Sequence, residues 1–114
     1  SLASLTHNIM SVVHVHSTED YAKHTATADK LVIVDFSATW CGPCKKIAPV
    51  YEGLAAKHPE ALFLHVDVDE LAALPECQAI RGVPTFKFIK NGSQVAEVVG
   101  ANGDKLTSTV TANL

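Results

Sequence analysis

The chain of 114 residues is poor in cysteine, with 3 in all, so no framework of disulfides holds the fold. It has no long apolar run, and its longest apolar stretches are far too short to span a bilayer. It has no basic block longer than Lys45-Lys46 and carries a formal net charge of -3, which argues against nucleic acid as a main partner. Repeats, low-complexity tracts and linkers are absent. Ser1 to Ile9 lacks the basic start and apolar centre of a secretory signal. Met10 is the only methionine. Residues 1–10 are therefore read as an N-terminal extension or cloning remnant, and residues 11–114 as one domain. What remains is 47% apolar and 18% charged, the balance of a soluble globular protein able to bury its own core.

The segments alternate. Val12 to Val15 is β-branched and reads as a strand. Ser17 caps a helix expected over Thr18 to Ala28, with Glu19 and Asp20 in its first turn. Leu31 to Phe36 is apolar throughout, the pattern of a central strand covered on both faces. From Cys41 the spacing turns helical, with Ile47, Val50, Tyr51, Leu54 and Ala55 on one stripe. Pro49 is expected to kink this helix without ending it. Ala61 to Val66 is a strand, and Glu70 to Ala79 a short helix interrupted by Pro75. Thr85 to Ile89 and Val95 to Val99 are strands joined through the Asn91-Gly92 turn. Asn102 caps a last helix. The order β-α-β-α-β-α-β-β-α implies an α/β fold. Right-handed crossovers make the first three strands parallel, and the hairpin makes the last two antiparallel.

The chemistry gathers at Trp40-Cys41-Gly42-Pro43-Cys44. A CxxC pair either closes a small disulfide ring or holds a metal ion. A closed zinc site needs four ligands. Cys77 stands alone, the 6 histidines are scattered, and neither a second CxxC nor an HxxxH is present, which leaves metal or cluster binding the weaker reading. The redox reading gives each residue a task. Cys41 sits where a strand ends and a helix begins, where unpaired N–H groups and the helix dipole favour a thiolate. That thiolate can attack a substrate disulfide. Pro43 costs little in the first helical turn and stiffens the ring. Cys44, one turn on, can attack the resulting mixed disulfide. Cys41 is expected to be exposed and Cys44 shielded beneath it. Asp35 is a carboxylate in an otherwise apolar strand. Burial raises its pKa and suits it to take the Cys44 proton, the alternative being a local pairing role. Pro84, after Val83, opens a later strand.

With these residues in view, the chain from Val12 to Leu114 resembles the thioredoxin family. Asp35 to Lys45 (DFSATWCGPCK) matches the family's active-site segment without a departure. Pro49 falls at the family's helix kink, and Val83-Pro84-Thr85 at the segment whose proline is cis. The resemblance implies a thioredoxin fold, a mixed five-stranded sheet flanked by four helices on both faces. It implies a cytoplasmic protein-disulfide reductase with no bound cofactor and a redox-active Cys41-Cys44 disulfide. A thioredoxin reductase, using NADPH and FAD, would recharge it. Disulfide-bearing proteins such as peroxiredoxins would be its substrates, and the chain would be a monomer. By the same resemblance Trp40, Gly42, Pro43, Gly82, Val83, Pro84, Gly100 and Ala101 form a substrate groove around Cys41, with the Val83 backbone pairing to an extended segment. His65 stands where bacterial relatives carry lysine and animal relatives glutamate. It is read either as a proton partner of Asp35 or as a partly exposed histidine. Some relatives carry extra regulatory cysteines, but Gly82 stands at one such position and Leu71 where a partner for Cys77 would be. Cys77 is read as a free helix thiol. A competing function is a binding module of the same fold whose partner contacts depend on the state of the CxxC pair.

Overall fold

The computed structural model describes residues 11–114. The extension assigned to residues 1–10 lies outside the described residues. The apolar run becomes strand β2 (Leu31–Ser37), and all 7 of its residues are buried. Around it stand β1 (Val12–Val15), β3 (Leu62–Asp67), β4 (Thr85–Lys90) and β5 (Ser93–Val99), in the sheet order β1-β3-β2-β4-β5. The strands β1, β3 and β2 are parallel, and β4 and β5 return antiparallel.

The helices are α1 (Thr18–Thr25), α2 (Gly42–Lys57), α3 (Pro75–Gln78) and α4 (Gly103–Asn113). The alternation of side chains along β2 sends its residues into two cores. Leu31 and Ile33 pack with Ile47, Tyr51 and Leu54 of α2 and Leu106 and Val110 of α4. Val32, Val34 and Phe36 pack with Tyr21 of α1 and Cys77 of α3. The expected fold, a mixed five-stranded sheet with helices on both faces, is the one observed.

Tyr51 fixes α2 over the sheet. Its hydroxyl lies 3.0 Å from the Ile33 carbonyl and 2.7 Å from that of Leu64, so it can donate to either strand. Its ring meets Phe63 and Phe86, each with centroids 5.4 Å away. The helix runs unbroken through Pro49, as its resumed periodicity requires. Val50, expected on the buried stripe, is instead exposed and lines a shallow groove with Pro43, Ala101 and Gly103.

The caps fall where expected. The Ser17 side chain accepts from the Asp20 N–H, and the Asn102 side chain from the Lys105 N–H. Two helices are shorter than their sequences suggest. α1 ends at Thr25, and the chain turns back at Asp29, whose φ is 62° and whose N–H donates to Asn91 Oδ1. Pro75 starts α3 instead of interrupting it, because its missing donor is tolerated only in a first turn. Asn91 and Gly92 take φ of 51° and 81°, the left-handed pair a tight two-residue hairpin needs. A register shift opposite Phe88 and Ile89 leaves Val95 unmatched as a bulge.

Candidate active site

β2 ends at Ser37, and α2 begins at Gly42, so the cysteine pair sits at the strand-to-helix junction. Cys41 is itself the N-cap of α2, and the Cys44 N–H donates to Cys41 Sγ at 3.1 Å. Pro43 occupies the first turn, where no donor is missed. That turn holds no acidic residue, so the positive end of the helix is left to the sulfur and to Lys45 and Lys46. The two cysteines are joined as a disulfide with Cα atoms 5.3 Å apart.

One expectation needs correction. Cys41 is 4% exposed and Cys44 5%, so the first cysteine is as covered as the second. The cover comes from Ala38, Val68 and Val83, which pack around the pair, and Cys41 Sγ lies 3.7 Å from the Val83 carbonyl oxygen. A loop distant in sequence closes over the sulfur, which spacing within the CxxC segment does not reveal. The two sulfurs differ in what they face. Cys41 faces the Val83 loop, whereas Cys44 lines a cavity of about 220 Å³ shared with Asp35, Ser37, Tyr51 and His65.

The Val83–Pro84 peptide is cis, and the Pro84 carbonyl accepts from the Gly100 N–H at 2.9 Å. This bond ties the Gly100 loop, with its φ of 94°, to the proline loop facing the cysteines. Gly42, Pro43 and Ala101 line the shallow groove at the start of α2. Gly82 turns towards a separate depression formed by Arg81, Thr85, Glu97 and Val99, and its carbonyl accepts from Thr85 Oγ1. Trp40 is 69% exposed, and its indole N–H donates to Asp69 Oδ2 at 2.8 Å. Asp69 escapes a sequence reading. The Asp67-Val68-Asp69 run looks like the end of a strand, and only the fold brings it beside Trp40.

Asp35 is buried beneath α2. One carboxylate oxygen, Oδ2, lies 3.3 Å from His65 Nδ1, and the other, Oδ1, has no partner among the described residues. Burial raises the Asp35 pKa, against the opposing pull of His65 and His14. The hydrogen bond to Asp35 raises the His65 pKa, against the burial that lowers it. Both groups are thus shifted towards holding a proton, Asp35 by burial and His65 by the hydrogen bond between them. His65 lies beside Asp35, as the first of its two readings requires, and its side chain is 30% exposed, as the second has it.

Cys77 is buried and unpaired, and burial followed by the nearby Glu76 pushes its thiol up to about 11. Leu71 and Cys77 both belong to the core on the α1 side. A covered thiol held in its neutral form is a poor nucleophile, in keeping with its reading as a free helix thiol. Among the described residues no cluster of side chains suits a metal ion, and no helix is long and apolar enough to cross a membrane.

A model of the thioredoxin family matches residues 12–112. Thioredoxin-3 of Dictyostelium discoideum is 46% identical over 103 residues, covering 90% of this chain and 97% of that protein. Thioredoxin H1 of Arabidopsis thaliana is 44% identical over 106 residues, covering 90% and 93%. The crystal structure of a wild-type poplar thioredoxin h superposes with a TM-score of 0.83 at 40% identity, covering 90% of this chain and 95% of that one.

Proposed function

The chain belongs to the thioredoxin family and is a thiol-disulfide oxidoreductase, and we propose that it works in the reducing direction, as a protein-disulfide reductase. The observation that carries this reading is the Gly42-Pro43 turn between the cysteines, while the Cys44 N–H on Cys41 Sγ at the head of α2 readies the nucleophile. A backbone donor and the helix dipole aimed at one sulfur stabilise its thiolate more than its thiol or its disulfide. That readies Cys41 to attack, but stabilising the reduced form alone would raise the potential, so the reducing direction rests on the residues between the cysteines. Gly42-Pro43 between the cysteines is the pair found in the reducing members of the fold.

In this reading the Cys41 thiolate attacks one sulfur of the substrate disulfide. A mixed disulfide forms, the substrate S–S bond breaks, and the first substrate thiolate leaves. Asp35 takes the proton of Cys44. The Cys44 thiolate attacks Cys41 Sγ, the Cys41–Cys44 bond forms, and the second substrate thiolate leaves. The protein loses two electrons and the substrate gains them. His65 holds the proton with Asp35. The groove of Trp40, Gly42, Pro43, Gly82, Val83, Pro84, Gly100 and Ala101 receives an extended segment, with the Val83 backbone as its pairing edge.

The chain would be returned to its dithiol form by a flavin- and NADPH-dependent thioredoxin reductase. Its substrates would be cytoplasmic disulfide proteins such as peroxiredoxins, met by a monomer. The test is equilibration with glutathione buffers together with an NADPH-coupled insulin-reduction assay. The expected potential lies below that of the glutathione couple, and turnover requires the reductase. A potential above that couple would assign the chain to oxidation instead. A second measurement concerns His65. His65→Ala should shift the pH profile of disulfide reduction to higher pH, because Asp35 loses a partner that lowers its pKa and so becomes a free base only at higher pH. An unchanged profile removes His65 from the reaction.

A further inference from the structure

His14, His65 and Asp35 stand in one row across three neighbouring strands. The register of β1 with β3 pairs His14 with His65, and that of β3 with β2 pairs His65 with Asp35. Residues paired in this way point to the same face of a sheet. All three line the cavity under α2, together with Cys44 and Glu52. Exposure rises outward along the row. The Asp35 side chain is 7% exposed and that of His65 30%, while His14 is exposed. The His14 and His65 ring centroids are 4.8 Å apart.

We propose that His14 is the outer station of a proton outlet, receiving from His65 the proton that Cys44 gives to Asp35 and delivering it to solvent. This rests on the reading of Asp35 as the base for Cys44. As Cys44 attacks, its S–H proton passes to the Asp35 carboxylate. The Asp35 O–H bond then breaks as His65 Nδ1 takes the proton. The resulting imidazolium gives its other N–H proton to the neutral His14 ring, and His14 releases it to water. Asp35 and His14 return to their starting forms, and His65 is left as its other neutral tautomer, which resets by proton exchange with water before the next turnover.

The surrounding charges set where the proton is held and where it is released. His65 is faced by Asp35 from β2, by Asp67 at the end of its own strand, by Glu70 beyond it, and by His14 from β1. His14 is faced by His65, by His16 just beyond the end of β1, by Glu52 from α2 and by Asp35. Burial, and then the two neighbouring imidazoles, lower the His14 pKa, against the pull of Glu52 and Asp35. His16 in turn is held by Glu70 at 2.8 Å. The proton is thus gripped at His65 and held loosely at His14, nearest to water.

The test is a single turnover of the reduced full chain with 5,5′-dithiobis(2-nitrobenzoic acid). Its first thionitrobenzoate release reports attack by Cys41, and its second reports attack by Cys44. In weak buffer, His14→Gln should slow the second release relative to the first by about tenfold, and His65→Gln by at least as much. Added imidazole, small enough to serve as a free carrier, should restore the second release in both. A second release that matches the unsubstituted chain in weak buffer, or a slowed one that imidazole leaves slow, overturns the proposal. Asp35→Asn separates the two readings. If it leaves the second release unchanged, the base assignment itself fails. If it slows that release while His14→Gln does not, only the outlet fails.

Discussion

Cys41→Ser reduces insulin-disulfide reduction to the uncatalysed background, a loss on the order of 10³-fold or more. A serine hydroxyl stays protonated at neutral pH, so the backbone donor and helix dipole that favour a thiolate have no anion to act on. The fold should survive the change. Cys41 is the N-cap of α2, and serine is among the best N-cap residues, accepting from the same N–H that now meets Cys41 Sγ. The reduced protein and the variant should therefore unfold within about 1 kcal/mol of one another in chemical denaturation. This pairing makes the result decisive. Lost activity in a protein of normal stability assigns the nucleophile, and activity that survives the substitution contradicts it.

Asp35→Asn slows the second step of the reaction by about 10²-fold and at the same time stabilises the fold. The carboxylate is buried, with one oxygen unpartnered among the described residues. Its charged form is what burial penalises, and a neutral isostere escapes that penalty, worth about 1–3 kcal/mol at pH 8. The pH dependence has a definite sign. The Asp35 pKa is raised above 3.8, so the native state binds a proton that the unfolded chain has lost. Stability then falls as pH rises from about 3.8 through the folded pKa, and is level beyond it. The His65 pKa is raised above 6.5, so its contribution is present below 6.5 and is also lost as pH rises through its folded pKa. The two act in the same direction. The native protein should lose stability between acid and alkaline pH, and Asp35→Asn should flatten that slope. Urea unfolding at a series of pH values measures it. A variant less stable than the parent at pH 8 would mean that the charge of Asp35 helps to hold the fold.

The cysteine pair is legible because its chemistry depends on residues close in sequence. Asp35 is legible for a related reason, since a carboxylate within an apolar run is costly and calls for a cause. The sheet follows from the alternation of apolar strands and helices and from one strong turn at Asn91-Gly92. What depends on long-range placement is less legible. The pairing of His65 with Asp35 needs the strand order, in which β3 lies against β2. His14 joins them only because β1 lies on the far side of β3. The cover over Cys41 comes from Val83, and the partner of Trp40 is Asp69, each carried in by a distant loop. The Glu70 to Ala79 segment misleads because Pro75 can be read as a break or as a start, and only packing chooses.

The two rims of the sheet bear on the company this protein keeps. β1 is only 4 residues long and carries exposed His14, with His16 just beyond its end. On the opposite rim, β5 is interrupted by the bulge at Val95. A rim this short and one broken by a bulge both resist the zippering of a foreign strand along the sheet. If the substrates present extended segments, as proposed above, rims guarded in this way leave the short backbone stretch beside Val83 as the edge offered to them.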